Sequence, residues 1–197
     1  MCIRDRNGLL VLPTGAGKSL IIADIAARLE EPLIVFQPNK EILEQNFAKL
    51  QTYGIWDCSI YSASVGRKEI SRITFATIGS VIRHMKDFQH FKNILIDECH
   101  LVKPSDGMYK RFFEQAERRI VGLTATPYRL YSCMNGSMLK FLTRTRPRVF
   151  SQVLYYCQVS ELLAKGFLSR LKYYDVTRID LTKVRRISSG ADFDDAS

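Results

Sequence analysis

The most constraining feature is a short glycine-rich bend, Pro13-Thr14-Gly15-Ala16-Gly17-Lys18-Ser19, set between an apolar run (Gly8–Pro13) and a stretch with apolar residues at helical spacing (Lys18–Glu30). Strand, glycine-rich bend and helix in that order give backbone N–H groups that converge on an anion. The helix N-terminus adds partial positive charge and Lys18 a full one. Thr14, Gly15, Ala16, Gly17, Lys18 and Ser19 are therefore the candidate phosphate cradle, with Lys18 at the β- and γ-phosphates and the Ser19 hydroxyl a ligand for Mg2+. The general pattern wants a further glycine where Leu12 stands, so only the Gly-x-Gly-Lys-Ser core is kept.

The same alternation continues. Leu33–Gln37 reads as a strand, and Asn39 caps a helix that runs through Tyr53 with Ile42, Leu43, Phe47 and Leu50 on its apolar face. Strands follow at Cys58–Tyr61, Ile73–Thr77, Asn93–Asp97 and Arg119–Thr124, with helices at Gly79–Lys86 and near Tyr109–Ala116. Short apolar runs alternating with helices predict a doubly wound, mostly parallel α/β domain over residues 9–130. Beyond Pro127 the pattern weakens. Tyr131–Ser137 reads as loop, Val159–Lys165 as a helix ended by Gly166, Leu171–Val176 as a strand, and Ser188–Ser197 as a poorly ordered tail within 179–197. Residues 1–8 form a leader; Met1–Arg6 fits no strand and reads as a scar of the reading frame or its expression.

Composition narrows the class. With 46% hydrophobic and 25% charged residues, the 197-residue chain suits one soluble domain plus an extension. Its apolar runs are far shorter than the roughly 20 residues a membrane span needs, so no membrane association is expected. Five scattered cysteines, with no C-x-x-C pair, indicate neither structural zinc nor a disulfide framework, and a reducing cytoplasm fits best. Of the net charge of +9, residues 131–197 contribute 11 basic and 6 acidic groups, and 131–160 hold no carboxylate at all. This basic C-terminal extension, 131–178, suits a polyanion. Its aromatics, among them Phe141, Phe150, Tyr155, Tyr156 and Phe167, are expected to pack on the domain or to link it to a next one rather than to stack on bases.

A second cluster is Asp97-Glu98-Cys99-His100, which ends an apolar strand. Adjacent residues of a regular strand face opposite sides, so Asp97 and Glu98 serve one site only where the chain turns at the strand end. There Asp97 would hold Mg2+, and Glu98 would orient and polarise an attacking water.

With Thr124-Ala125-Thr126-Pro127 downstream, the order of these segments resembles motifs I, II and III of superfamily two helicases and translocases, the DEAD/DEAH-box relatives in a DECH form. Within them it is most similar to the branch of DNA repair helicases and type III restriction enzyme motor subunits. The resemblance covers Leu9–Arg129 and implies the first of two RecA-like P-loop motor domains, with ATP and Mg2+ as cofactors and Lys18, Asp97 and Glu98 as catalytic residues. It also implies that Gln37, Pro38, Asn39, Thr77 and Ser80 grip a nucleic-acid backbone, DNA in preference to RNA. His100, Thr124 and Thr126 would couple nucleotide state to that grip. A second RecA-like domain is expected to follow and to complete hydrolysis, which leaves the isolated chain nearly inactive. A nucleic-acid-binding module on an inert P-loop fold and an RNA helicase are the alternatives.

Overall fold

Each apolar strand divides its residues between two faces. Leu33 and Val35 pack with one group of core residues and Ile34 and Phe36 with another; Leu95 is separated in the same way from Ile94 and Ile96. This period of two, with both faces buried, is what a sheet covered by helices on each side demands. The structure, a computed structural model, describes residues 7–133 and 136–170. The expected leader Met1–Arg6, the strand at Leu171–Val176 and the acidic tail lie outside the described residues.

The strands are β1 (Gly8–Val11), β2 (Leu33–Phe36), β3 (Cys58–Ser62), β4 (Arg67–Lys68), β5 (Ile73–Ala76), β6 (Asn93–Ile96), β7 (Arg119–Thr124), β8 (Tyr128–Cys133), β9 (Gly136–Phe141) and β10 (Gln152–Tyr156). Eight of them form one sheet in the order β10-β1-β7-β6-β2-β5-β3-β4. All its pairings are parallel except β3 with β4. The helices are α1 (Lys18–Arg28), α2 (Lys40–Thr52), α3 (Ile78–Val81), α4 (Met108–Phe113) and α5 (Val159–Ala164). Residues from α1 and α2, including Ile22, Ala26, Leu43 and Leu50, cover one face. On the other face the Phe36 ring stands edge-on to Phe112 of α4 at 5.3 Å and to Tyr109 at 5.5 Å.

The doubly wound α/β reading holds, with three differences. Of the expected loop at Tyr131–Ser137, the described residues are strand ends of an antiparallel hairpin, β8 paired with β9 from Tyr128↔Phe141 to Cys133↔Gly136. The expected helix at Gly79–Lys86 is broken into α3 and a 3-10 turn at Met85–Phe88. Beyond residue 130, within the segment read as a basic extension, β10 adds a strand beside β1 in the main sheet. Phe150, just before β10, is 2% exposed and belongs to the core.

Parallel strands put all their carboxyl ends at one edge, where the glycine-rich bend after β1, Gln37 after β2, Thr77 after β5, Asp97 after β6 and Thr124 at the end of β7 assemble.

Candidate nucleotide and nucleic-acid site

Local backbone chemistry shapes the bend. Gly15 and Gly17 have φ of 83° and 81°, a region that side chains disfavour, so these two positions require glycine. Gly17 is the N-cap of α1 and no side chain caps that helix; the Leu20 N–H already donates to the Gly17 carbonyl at 2.9 Å, which leaves the Lys18 and Ser19 amides to an external acceptor. The Lys18 ammonium extends across the site to Glu98, with Nζ 2.7 Å from Oε1. The two motifs, eighty positions apart in the chain, therefore form one site.

Asp97 follows β6 directly, and its backbone N–H donates to the Phe36 carbonyl at 3.0 Å. Glu98 has φ 45° and ψ 49°, left-handed backbone for a residue other than glycine. That conformation swings Glu98 out of strand alternation, so both carboxylates serve the same crevice. Strain of this kind persists where surrounding contacts fix it. The Glu98 N–H donates to Asp97 Oδ1 at 3.0 Å, and Asn46 Nδ2 of α2 donates to Oδ2 at 3.3 Å.

Their protonation differs accordingly. Asp97 is 5% exposed, and burial followed by the Glu98 charge pushes its carboxyl above the ordinary value, against the pull of Lys18. Glu98 is held below the ordinary value, first by its hydrogen bond from His100 and also by Lys18, against burial. The ionised form is thus favoured at Glu98, whereas burial disfavours charge on Asp97 unless a cation stands near it.

His100 Nδ1 stands 3.3 Å from Glu98 Oε2 and 3.0 Å from Thr124 Oγ1. Thr124 Oγ1 also accepts from the Thr126 N–H at 3.0 Å and donates to the Thr126 carbonyl at 3.2 Å. Of the three expected coupling residues, Thr124 contacts His100 directly, and Thr126 joins through its backbone. β7 pairs with β1, and the Leu12 N–H donates to the Thr124 carbonyl at 2.9 Å, so this chain of contacts returns to the glycine-rich bend.

A hydroxyl and a carboxylate, Ser19 and Asp97, are the hard oxygen donors that suit Mg2+, an ion that usually takes only one or two carboxylates plus phosphate oxygens. Lys49 Nζ of α2 lies 3.4 Å from Ser19 Oγ. Asn46 and Lys49 have no part in the motifs; the signal that could have singled them out is their position on one turn of a helix whose cap sits at the same sheet edge.

The expected backbone-gripping residues have varied placements. Asn39 caps α2, its Oδ1 accepting from the Ile42 N–H at 2.9 Å. The Ser80 hydroxyl accepts from the Ala63 N–H at 2.8 Å and lies 2.9 Å from Thr77 Oγ1, which is 3.2 Å from Ser62 Oγ. Gln37 is 1% exposed, with both amide atoms lacking a partner among the described residues. It borders a cavity of about 480 Å³ at the ends of β2, β5 and β6, shared with Pro38, Thr77, Asp97, Glu98 and Tyr109. A larger cavity, about 1200 Å³, lies at the opposite, amino ends of the strands near Asn7, Lys92 and Arg119, remote from this chemistry. Among the described residues no group of three or more His, Cys, Asp or Glu side chains is placed to hold a metal, and no helix is long and apolar enough to cross a membrane.

Known proteins resemble this chain in sequence and in fold. The chain is 28% identical over 130 residues to the DNA 3'-5' translocase XPB2 of Sulfurisphaera tokodaii, covering 64% of this chain and 28% of that protein. It is 27% identical over 164 residues to the putative ATP-dependent RNA helicase QP509L of African swine fever virus, covering 80% of this chain and 32% of that protein. The chain thus spans about a third or less of these relatives. Among solved structures, the UvsW helicase of bacteriophage T4 superposes with a TM-score of 0.57 at 18% identity, covering 76% of this chain and 54% of that one. The type ISP restriction-modification enzyme LlaGI superposes with 0.58 at 13% identity, covering 82% and 19%. These two likenesses are of fold. The sequence matches the family described as type III restriction enzyme, res subunit, over residues 3–129, and with the phosphate cradle, the acidic pair and the His100–Thr124 link in one crevice, the chain belongs to that family of superfamily two helicase domains.

Proposed function

We propose that this chain is the first motor domain of an ATP-dependent DNA helicase or translocase. The observation that carries the reading is the Lys18–Glu98 contact, which joins the phosphate cradle to the acidic pair. Lys18 and Glu98 neutralise each other across the site. An arriving triphosphate offers Lys18 a stronger partner, so the ammonium turns to the β- and γ-phosphates and releases the Glu98 carboxylate. Glu98 then accepts a proton from water as the water oxygen bonds to the γ-phosphorus and the bond to the β-phosphate oxygen breaks, giving ADP and phosphate. Ser19 and Asp97 would hold Mg2+, which would supply charge neutralisation for the phosphates. His100 and Thr124 relay the state of Glu98 to the segment after β7.

Nucleic acid is read as crossing the loops after β2 and β5, at Gln37–Asn39 and Thr77–Ser80. With Asn39 and Ser80 engaged internally, backbone amides and the exposed Lys40 are the groups left to meet phosphates there. A second motor domain is needed to supply an arginine for the transition state, worth on the order of 10³–10⁵ in rate in related hydrolases. Lys18, Ser19, Asp97 and Glu98 are all intact, which weighs against an inert binding module.

The test is ATP hydrolysis by the full-length protein with double-stranded DNA, single-stranded DNA or RNA. DNA-stimulated turnover that disappears in Glu98→Gln is expected. Turnover unchanged by that substitution would refute the assignment, and stimulation by RNA alone would favour the RNA helicase reading.

A further inference from the structure

The nucleoside end of the site is not assigned by any of the motifs, and the sheet order indicates where it lies. Lys18 reaches toward Glu98 at the end of β6, and the strands run β10-β1-β7-β6, so the γ-phosphate end of a bound triphosphate points toward β7 and β6. The nucleoside must then leave the bend on the other side, over β1 toward the β10 edge.

What stands at that edge is the end of α5. Gly166, with φ 74°, turns the chain back, and the N–H groups of Phe167 and Leu168 both donate to the Leu162 carbonyl, at 2.9 and 3.3 Å. This turn carries Leu168 onto the glycine-rich bend so closely that a Cβ built on Gly15 would lie 2.8 Å from Leu168 Cδ2. The neighbouring Phe167 is 72% exposed, more than any other large apolar side chain among the described residues. Phe167 is thus an exposed aromatic side chain one position from Leu168, the residue that meets the bend, and an exposed ring offers a face for stacking.

We propose that Phe167 stacks on the base of the bound nucleoside triphosphate, so that the segment after α5 forms the base side of the site. The proposal rests on the nucleotide reading given above. A stacking contact recognises the flat face of a base and contributes nothing to binding of the phosphates.

The test compares equilibrium binding of ATP with that of inorganic tripolyphosphate, both with Mg2+, by calorimetry on the chain and its variants. Phe167→Ala is expected to weaken ATP roughly 5- to 100-fold and to leave tripolyphosphate unchanged, with Phe167→Trp restoring ATP. Unchanged ATP affinity in Phe167→Ala would overturn the proposal. So would an equal loss for both ligands, which would make Phe167 a support for the bend through Leu168. A loss in Tyr155→Ala but not in Phe167→Ala would place the base on β10 and likewise overturn it. Lys18→Ala keeps the failures distinct: weakening of both ligands upholds the cradle whatever Phe167 does, and weakening of neither removes the nucleotide reading together with this proposal.

Discussion

His100 and Thr124 are joined by a 3.0 Å contact between Nδ1 and Oγ1, which ties the turn after β6 to the end of β7. The same Nδ1 faces the Glu98 carboxylate at 3.3 Å, and a carboxylate only accepts, so Nδ1 carries the hydrogen. One imidazole therefore stands between the Glu98 carboxylate and the segment that begins at Thr124.

Replacing His100 tests that link twice. In the full-length protein, His100→Ala is expected to cut the ratio of DNA-stimulated to unstimulated ATP hydrolysis by on the order of 5- to 150-fold, the usual range of coupling between sites. It also removes the largest cause of the lowered Glu98 pKa, so the acid limb of the pH–rate profile should move to higher pH. An unmoved acid limb would mean that His100 does not contact the active carboxylate.

Asp97 makes a prediction about stability of the opposite sign. Burial raises its pKa, so the folded state holds the proton more tightly than the unfolded chain. Ionising Asp97 costs the fold nothing below the ordinary carboxylate value near about 3.9, and the full cost is present once pH exceeds its raised value. Asp97→Asn should therefore raise the melting temperature at neutral pH, with the gain shrinking as pH falls through that window. A variant less stable at neutral pH would show that the Lys18 and Asn46 contacts outweigh burial.

The alternation of strands and helices was legible because β1, β2, β5, β6 and β7 are mostly apolar runs and β3 mixes small polar with apolar residues. The hairpin was not, since the segment joining Tyr128 to Phe141 mixes small and polar residues and pairs only with itself. β10 was missed although Gln152-Val-Leu-Tyr-Tyr156 is rich in strand-favouring residues, because the segment between Pro127 and Gln152 obscured the alternation that would have placed it. Lys18, Asp97 and Glu98 could be read from spacing. The left-handed turn at Glu98, the Asn46 bond to Asp97 and the Lys49 approach to Ser19 depend on tertiary packing that no local pattern carries.

Gly122 is one such tertiary requirement. A Cβ there would lie 2.6 Å from Cys99 Sγ and 2.8 Å from Phe150 Cε1, both in the core. Gly122→Ala should lower the unfolding free energy by about 1–3 kcal/mol in denaturant titrations, the usual cost of overpacking. No loss would mean that the contact between β7 and the turn after β6 is loose.

Asn39 separates capping from nucleic-acid contact. Its Oδ1 is already engaged by the Ile42 N–H, so Asn39→Ala should cost about 1 kcal/mol in stability while affinity for DNA is retained. Weakened DNA binding with unchanged stability would assign the side chain to the nucleic acid instead.

The central claim, that a triphosphate sits between the glycine-rich bend and Glu98, is tested most directly by equilibrium binding of ATP with Mg2+ to the wild-type chain, Lys18→Ala and Glu98→Gln. Lys18→Ala should bind at least about tenfold more weakly, as expected for loss of a charge-assisted contact to phosphate. Glu98→Gln should bind as tightly as wild type or more tightly, because Lys18 no longer has to leave an ion pair. Equal affinity of Lys18→Ala and wild type would contradict the account.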